Sequence, residues 1–150
     1  MAGTFTQIGI HFVFSTKHRQ PLITPELQTE LHNYIGGIIQ HQKGIMLEIG
    51  GMADHLHVLC LLHPTSSVSD MMRLIKTNSS KWINEQQDRT TRFEWQDGYG
   101  AFSVSKSILP SVCEYIQKQE EHHRKKTFQE EFLDFLKKHE IEYDPQYIWN

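Results

Sequence analysis

The triplet His55-Leu56-His57 is the part of this sequence whose residue types and spacing most directly predict chemistry. It lies in an apolar run of strand type, where residues two apart point to the same side, about 6.6 Å apart along the chain. Two imidazoles placed this way can bind one metal ion, although such pairs also occur on ordinary polar sheet faces. Both histidines are predicted to lie on an open sheet face, opposite the residues that face the helices, Leu56, Val58, Cys60 and Leu62.

Tyr115 and Gln119 form a second candidate pair, because residues four apart share one face of a helix. The reference pKa of a phenol is about 10, so a tyrosine is a nucleophile only where its surroundings help it to lose a proton. A nearby divalent ion gives that help and also polarises a phosphate. The alternative is a core aromatic residue beside a solvated glutamine.

The run from His122 and His123 to Lys126 is a weaker candidate for binding phosphate or metal, since such runs are more often solvated helix ends. The sequence has no phosphate-binding glycine-rich loop, no Cys-x-x-Cys pair and no convincing order of serine, histidine and aspartate. Nucleotide hydrolysis therefore has no support. Cys60 and Cys113 suit a reducing compartment and are not expected to be catalytic.

The charge of the chain is unevenly distributed. The net charge is -3, but residues 127–150 hold six acidic side chains against Lys137 and Lys138. Residues 1–126 are close to neutral and contain local basic clusters, a balance that permits a nucleic-acid partner without requiring one. No apolar run has membrane-spanning length and no signal pattern begins the chain, so we expect a cytoplasmic protein without a membrane partner.

Hydrophobic periodicity predicts the element order β-α-β-β-α-β-α-α, an α+β protein. The first six elements match the ferredoxin-like pattern, an antiparallel sheet with helices on one face and the other face open. We expect a single domain over residues 1–150. Its parts are a core over 1–106, a tyrosine-bearing helix over 107–126, and an acidic helix and tail over 127–150.

The chain resembles the single-tyrosine HUH transposases of insertion sequences that move as single-stranded DNA. HUH stands for histidine, hydrophobic, histidine. The resemblance lies in several segments that follow one another in the same order along the chain. Each segment alone is weakly specific, but all of them in this order are highly specific. The segments are an opening strand that ends in residues 14–19, Ala53-Asp54-His55-Leu56-His57, residues 95–105, residues 115–123 and Glu142-Tyr143-Asp144-Pro145.

The resemblance implies that His55, His57 and Gln119 bind a divalent ion, Mg²⁺ or Mn²⁺, and that Tyr115 is the nucleophile. The implied activity is cleavage and rejoining of single-stranded DNA at hairpin-marked transposon ends, through a 5′-phosphotyrosine intermediate. Because the intermediate keeps the phosphodiester energy, rejoining needs no ATP.

The resemblance also implies partners. Excision joins two ends while each chain has one matching tyrosine, which predicts a symmetric homodimer, with the tyrosine helix completing the partner's histidine site. The acidic helix over residues 130–142 is expected to lie away from the DNA. Candidate contacts to the DNA backbone are Lys17, Arg19, Arg73, Lys76, Lys81, Arg89 and Arg92.

Three alternatives share parts of this pattern. A relative that processes chromosomal repeat palindromes would keep the same histidines, tyrosine and glutamine. A non-catalytic nucleic-acid-binding module on a ferredoxin-like sheet would carry aromatic residues on the open face, where Ser103 and Ser105 are predicted instead. A small zinc hydrolase would take its third ligand from His63, His122 or His123 and would not need Tyr115.

Overall fold

The computed structural model describes residues 3–86 and 91–149. Within these ranges, none of the helices has the length and apolar character needed to cross a membrane. The strands are β1 (Gly9–Ser15), β2 (Ile45–Met52), β3 (His55–Leu61) and β4 (Gly100–Val104). The helices are α1 (Pro25–His41), α2 (Val68–Asn84), α3 (Leu109–Gln117), α4 (Gln119–His122) and α5 (Phe128–Lys138).

The four strands form one antiparallel sheet in the order β2-β3-β1-β4. Together with the connections through α1 and α2, this order is the ferredoxin-like arrangement, so the α+β prediction is confirmed. The register pairs Val13 with His57 and Ser15 with His55. The candidate histidines therefore lie on β3, one of the two central strands of the sheet.

Helices α1 and α2 cover one face of this sheet. Thr24 caps α1 by accepting a hydrogen bond from the Leu27 amide, and Ser67 caps α2 by accepting one from the Asp70 amide. The prediction that the apolar residues of β3 face the helices is confirmed, because these residues lie in the core beneath α1 and α2. That core includes Phe12, Phe14, Ile35, Leu56, Val58, Cys60, Leu62 and Ile75.

The opposite face is covered as well, so the expectation of an open face is wrong. Helix α5 packs across it, and the apolar residues of this second layer are Val13, Phe102, Phe128, Phe132 and Leu136. The apolar stripe of α5 needs a surface to bury it, and the exposed side of the sheet supplies one.

The predicted facing of β4 is also wrong. Phe102 pairs with His11 and lies on the histidine face, whereas Ser103 pairs with Ile10 and faces the side of α1 and α2. Ser105 follows the end of the strand. The aromatic content of the histidine face is therefore higher than the sequence indicates, and it is used to pack α5.

Gly50 marks a close approach between a strand and a helix. Strand β2 continues through Gly50 to Met52, and the turn is confined to Ala53 and Asp54. A Cβ at position 50 would lie 2.7 Å from the carbonyl oxygen of Ile116. This glycine lets α3, the helix that carries Tyr115, lie directly against the sheet.

Gly50→Ala is expected to destabilise the protein by about 1–3 kcal/mol, because the added methyl group meets backbone that only a shift of α3 can move. Gly37→Ala is the matched control, since a Cβ at that helical position meets nothing within 4 Å. The control should be neutral or stabilising by up to about 1 kcal/mol. Urea unfolding followed by circular dichroism measures both, and equal midpoints for the two variants would contradict the close approach.

Candidate metal and tyrosine site

His55 and His57 lie side by side on β3, and both side chains are completely buried beneath α3, α4 and α5. His55 Nδ1 donates to Asp54 Oδ1 at 2.7 Å, since a carboxylate only accepts. His57 Nδ1 lies 2.9 Å from His11 Nε2 on the neighbouring strand. The Nε2 atom of His57 contacts Glu131 Oε1 at 2.9 Å. A metal ion would take the place of the proton on that nitrogen while the ring keeps its proton on Nδ1, so both rings can present Nε2 to a metal.

His123 adds a third imidazole just after α4. Its Nδ1 donates to the Lys126 carbonyl at 2.8 Å, which fixes the ring. Its Nε2 points to the same space as His55, and the two ring centroids are 4.5 Å apart. Among the histidines left open as third ligands of a zinc site, His123 is therefore in the cluster, whereas His63 bonds Thr65 elsewhere.

Two oxygen donors complete the group. Gln119 Oε1 lies 3.0 Å from the Nε2 atoms of both His55 and His123. Glu131 Oε1, contributed by α5, lies 2.9 Å from His57 Nε2 and 3.3 Å from His123 Nε2. Both side chains are buried, with only 2% of each exposed.

This donor set fits a metal ion. One nitrogen or oxygen atom from each of His55, His57, His123 and Glu131 can be chosen so that all lie within 4.8 Å of one another. An ion with bonds of about 2.1 Å holds neighbouring ligand atoms roughly 3.0–3.4 Å apart. Glu131 Oε1 lies close to that spacing from the Nε2 atoms of His57 and His123, at 2.9 and 3.3 Å. Imidazole and carboxylate together suit a divalent transition ion, and the carboxylate and amide oxygens also suit Mg²⁺.

Tyr115 stands at the edge of this cluster. Its hydroxyl donates a short hydrogen bond to Glu131 Oε2 and lies 3.0 Å from His122 Nε2. Its ring centroid is 5.7 Å from that of His57. The structure thus brings Tyr115, His55, His57 and Gln119 together within one chain.

Burial and charge set the protonation states. Burial raises the pKa of Tyr115, and the negative charge of Glu131 raises it further, so the phenol keeps its proton in this arrangement. Burial alone would raise the pKa of Glu131, but hydrogen bonds from His123 and His57 outweigh it and hold the pKa well below its usual range. Burial, aided by His57, lowers the pKa of His11 to about 3. The cluster therefore contains a neutral His11 and a fixed carboxylate charge.

The helix that carries Tyr115 and Gln119 is interrupted rather than continuous. Helix α3 ends at Gln117, α4 begins at Gln119, and Lys118 between them has φ -99° and ψ 24°. Tyr115 and Gln119 still lie in one site, because both contact Glu131: Gln119 Nε2 donates to Oε2 at 3.3 Å.

Sequence reasoning missed Glu131, His11 and the role of Asp54. Glu131 had a readable signal, because it lies three residues after Phe128 and four before Phe135 and so sits on the apolar stripe of α5. His11 alternates in β1 with the residues that enter the main core, which places it on the histidine face. Asp54 directly precedes His55, where a carboxylate can orient a ligating ring.

The candidate DNA contacts are scattered over the structure. Lys17 and Arg92 both pair with Glu94, at 3.5 Å and 3.4 Å. Arg73 and Lys81 are exposed on α2, which lies on the other face of the sheet from the histidines. Arg89 lies outside the described residues.

Lys76 and Arg19 have specific partners. Lys76 Nζ donates to the carbonyl oxygens of Gln96, Asp97 and Gly98, at 2.8, 3.3 and 2.6 Å, and burial lowers its pKa to about 8. This lysine holds the loop before β4. Arg19 donates to the Trp149 carbonyl and lies over that ring, 5.5 Å from its centroid.

A basic groove runs beside the histidine cluster. It has a volume of about 710 Å³ and reaches Asp54 and His123 at one side. Its basic side chains come from the segment after β1 and from the connection between α4 and α5, and they are His18, Arg19, Arg124, Lys125 and Lys126. The groove thus places positive charge next to the donor cluster.

A known protein family matches the part of the chain that carries four of the site residues. The family model described as "Transposase IS200 like" matches residues 4–119, a span that contains His55, His57, Tyr115 and Gln119. The chain belongs to the IS200-like transposase family. The match ends before His123 and Glu131, so these two donors lie outside the segment that defines the family model.

Relatives of this IS200-like transposase include the transposases for insertion sequence element IS200 of Salmonella typhimurium and Salmonella typhi. Each is 28% identical over 125 residues, which cover 79% of this chain and 81% of the relative.

Solved structures share the fold of this IS200-like transposase. A protein assigned as a transposase from Deinococcus radiodurans superposes with a TM-score of 0.61 at 19% identity, covering 79% of this chain and 95% of that one. A REP-associated tyrosine transposase bound to a REP hairpin gives a TM-score of 0.62 at 13% identity, covering 82% and 73%.

Proposed function

We propose that this IS200-like transposase is a metal-dependent endonuclease and strand transferase for single-stranded DNA. The observation that carries the proposal is the convergence of the Tyr115 hydroxyl with His55, His57 and Gln119 in one buried site. Tyr115 is the catalytic residue, and the histidines and Gln119 hold the divalent ion, Mg²⁺ or Mn²⁺.

The proposed reaction is an exchange of phosphodiester bonds. The Tyr115 oxygen attacks the scissile phosphorus, the bond to the 3′ oxygen breaks, and that oxygen leaves as a 3′ hydroxyl after taking up a proton. The products are a 5′-phosphotyrosine and a free 3′ end, and a 3′ hydroxyl reverses the step to join strands. A bound divalent ion supplies charge stabilisation at a non-bridging phosphate oxygen.

The protein's own groups do the positioning. Asp54 and His11 orient the two β3 histidines through their Nδ1 atoms. His122 Nε2 lies 3.0 Å from the Tyr115 hydroxyl and would accept the phenolic proton once that hydroxyl turns from Glu131 to attack the phosphorus. Burial lowers the pKa of His122, which keeps its ring neutral and able to accept.

The DNA is proposed to approach through the basic groove. A single strand needs positive charge along its backbone, and the groove supplies it next to the donor cluster. Among the residues expected from sequence, Arg19 lines this groove, and the others remain candidates for the hairpin. Hairpin-marked ends as the substrate rest on the family resemblance.

The double variant Arg124→Glu with Lys125→Glu is expected to weaken binding of a single strand by at least about 10-fold at moderate salt and to flatten the salt dependence. Lys106→Glu, an exposed lysine outside the groove, is the control and should bind as the wild type does. Fluorescence anisotropy over a salt series measures both. Equal losses in the double variant and the control would show that the groove is not the strand's path.

Two further features belong to the proposal. Excision must hold two 5′ phosphates at once and each chain offers one catalytic tyrosine, so we propose a homodimer. In this single chain the ring centroid of Tyr115 lies 5.7 Å from that of His57. Exchange of the tyrosine helix between two copies, which the family resemblance implies, stays part of the proposal. A cytoplasmic location remains our prediction, since DNA is the proposed substrate.

The test uses purified protein, Mn²⁺ or Mg²⁺, and end-labelled single strands from the DNA that flanks its own gene. Cleavage of one strand that stops with EDTA supports the proposal. Zinc-dependent hydrolysis that persists in Tyr115→Phe would favour the hydrolase alternative, which the position of His123 also permits. Tight hairpin binding without cleavage would favour the non-catalytic binding module.

A further inference from the structure

Glu131 is the least expected member of the cluster, because it comes from α5 and lies beyond the segment that defines the family model. Its side chain is 2% exposed, among the aromatic and aliphatic residues that pack α5 onto the sheet. A buried carboxylate is costly unless it is paired or binds a metal, so a helix that needed only to cover the sheet would carry an apolar residue here.

The Glu131 carboxylate is placed as a ligand would be. Its Oε1 atom lies 2.9, 3.3 and 3.6 Å from the Nε2 atoms of His57, His123 and His55. Neighbouring ligand atoms around an ion with bonds of about 2.1 Å are roughly 3.0–3.4 Å apart. The imidazoles thus surround one carboxylate oxygen at the spacing of a shared coordination sphere.

The hydrogen bonds of the His123 ring also suit a metal ligand. His123 Nδ1 donates to the Lys126 carbonyl, so Nε2 is the ring nitrogen that faces the cluster and is available to bind an ion. His55 is held in the same way by Asp54. Ligating histidines characteristically donate their second ring nitrogen to an oxygen acceptor, and His123 shares that arrangement with a family-matched histidine.

We propose that Glu131 and His123 are ligands of the same divalent ion as His55 and His57, so that the ion fastens α5 to the histidine face of the sheet. The inference rests on the metal centre of the proposed function. It adds that metal binding and docking of the C-terminal helix are one linked equilibrium, since the ligand from α5 is available only when the helix is docked.

The first measurement is calorimetric titration of the metal-free full-length chain with Mn²⁺. Glu131→Gln removes the charge at nearly constant shape and is expected to weaken binding by at least about 10-fold. Glu130→Gln is the matched control, because it changes the neighbouring exposed acid and a glutamine still suits the capping box with Thr127. The control should bind as the wild type does.

The second measurement is hydrogen exchange of the α5 amides with and without Mn²⁺. The wild type and Glu130→Gln should show slower exchange of α5 when the ion is present, and Glu131→Gln should show no such difference. If Glu131→Gln does not fold, His123→Gln takes its place and is expected to lose both the affinity and the protection.

His55→Ala separates this inference from the proposed function. Loss of Mn²⁺ binding in His55→Ala, with wild-type affinity and α5 protection in Glu131→Gln and His123→Gln, would overturn the inference and leave the metal centre standing. Wild-type affinity in His55→Ala, or no Mn²⁺ binding by the wild type, would overturn both. Weakened binding in all three variants, with α5 protected only in the wild type and Glu130→Gln, is the expected result.

Discussion

Tyr115→Phe is expected to abolish cleavage of single-stranded DNA, with a loss of at least about 10⁴-fold, while binding of the strand stays within about twofold of the wild type. The phenyl ring keeps the packing against His57 and Phe135 but has no oxygen to attack phosphorus. A time course on end-labelled strands measures the rate, and anisotropy measures binding.

Tyr143→Phe is the control for this substitution, because Tyr143 is 47% exposed near the end of the described chain. It should cleave at the wild-type rate. Cleavage by Tyr115→Phe at more than about a tenth of the wild-type rate would mean that another nucleophile, such as water, performs the reaction.

His57→Ala is expected to weaken Mn²⁺ binding by at least about 100-fold and to remove cleavage. The substitution takes away one donor and leaves the buried Glu131 charge without its nearest imidazole, at 2.9 Å. Leaving that buried carboxylate without one of its hydrogen-bond partners also costs about 1–3 kcal/mol of folding stability, so the thermal unfolding midpoint should fall. Calorimetric titration and a thermal melt measure the two effects separately.

His63→Ala provides the comparison for His57→Ala. His63 lies after β3 and bonds Thr65, away from the cluster. This variant should bind Mn²⁺ and cleave DNA as the wild type does. Loss of metal binding in His63→Ala with retention in His57→Ala would place the ion elsewhere in the protein.

Sequence patterns carried enough information to predict the sheet and the two helices beneath it. The alternation of Ile10, Phe12 and Phe14 and the helical spacing of α1 and α2 follow from burying one apolar face of each element. The prediction of which sheet face Phe102 occupies was wrong. The alternation of Phe102 and Val104 shows that both side chains point to the same face, but only the packing of α5 decides which face that is.

The candidate site was predictable in part. His55 and His57 stand two apart on one strand, and Tyr115 and Gln119 stand four apart, so local geometry relates each pair. Glu131 is 74 residues from its partner His57, and no local pattern relates them. Glu131 reaches the site because α5 packs back over the sheet. The acidic composition of the tail did not predict this packing.

The charged surface was the least predictable feature. The sequence does not show which way a basic side chain points or what it contacts. Lys76 donates hydrogen bonds to loop carbonyl oxygens, and Arg19 donates one to the Trp149 carbonyl. The groove is lined instead by Arg124 and Lys125. The sequence left their segment open between a phosphate-binding run and a solvated helix end. Only the position of that segment beside Asp54 distinguishes it from an ordinary charged surface.

The central claim is that Tyr115 becomes covalently joined to a 5′ phosphate. The most direct measurement is digestion of the protein after reaction with a single strand and Mn²⁺, followed by mass spectrometry of the peptide that contains Tyr115. We expect that peptide to carry a nucleotide through the Tyr115 oxygen, and the modification to be absent with EDTA. A nucleotide on another residue, or strand cleavage with every tyrosine unmodified, would contradict the account.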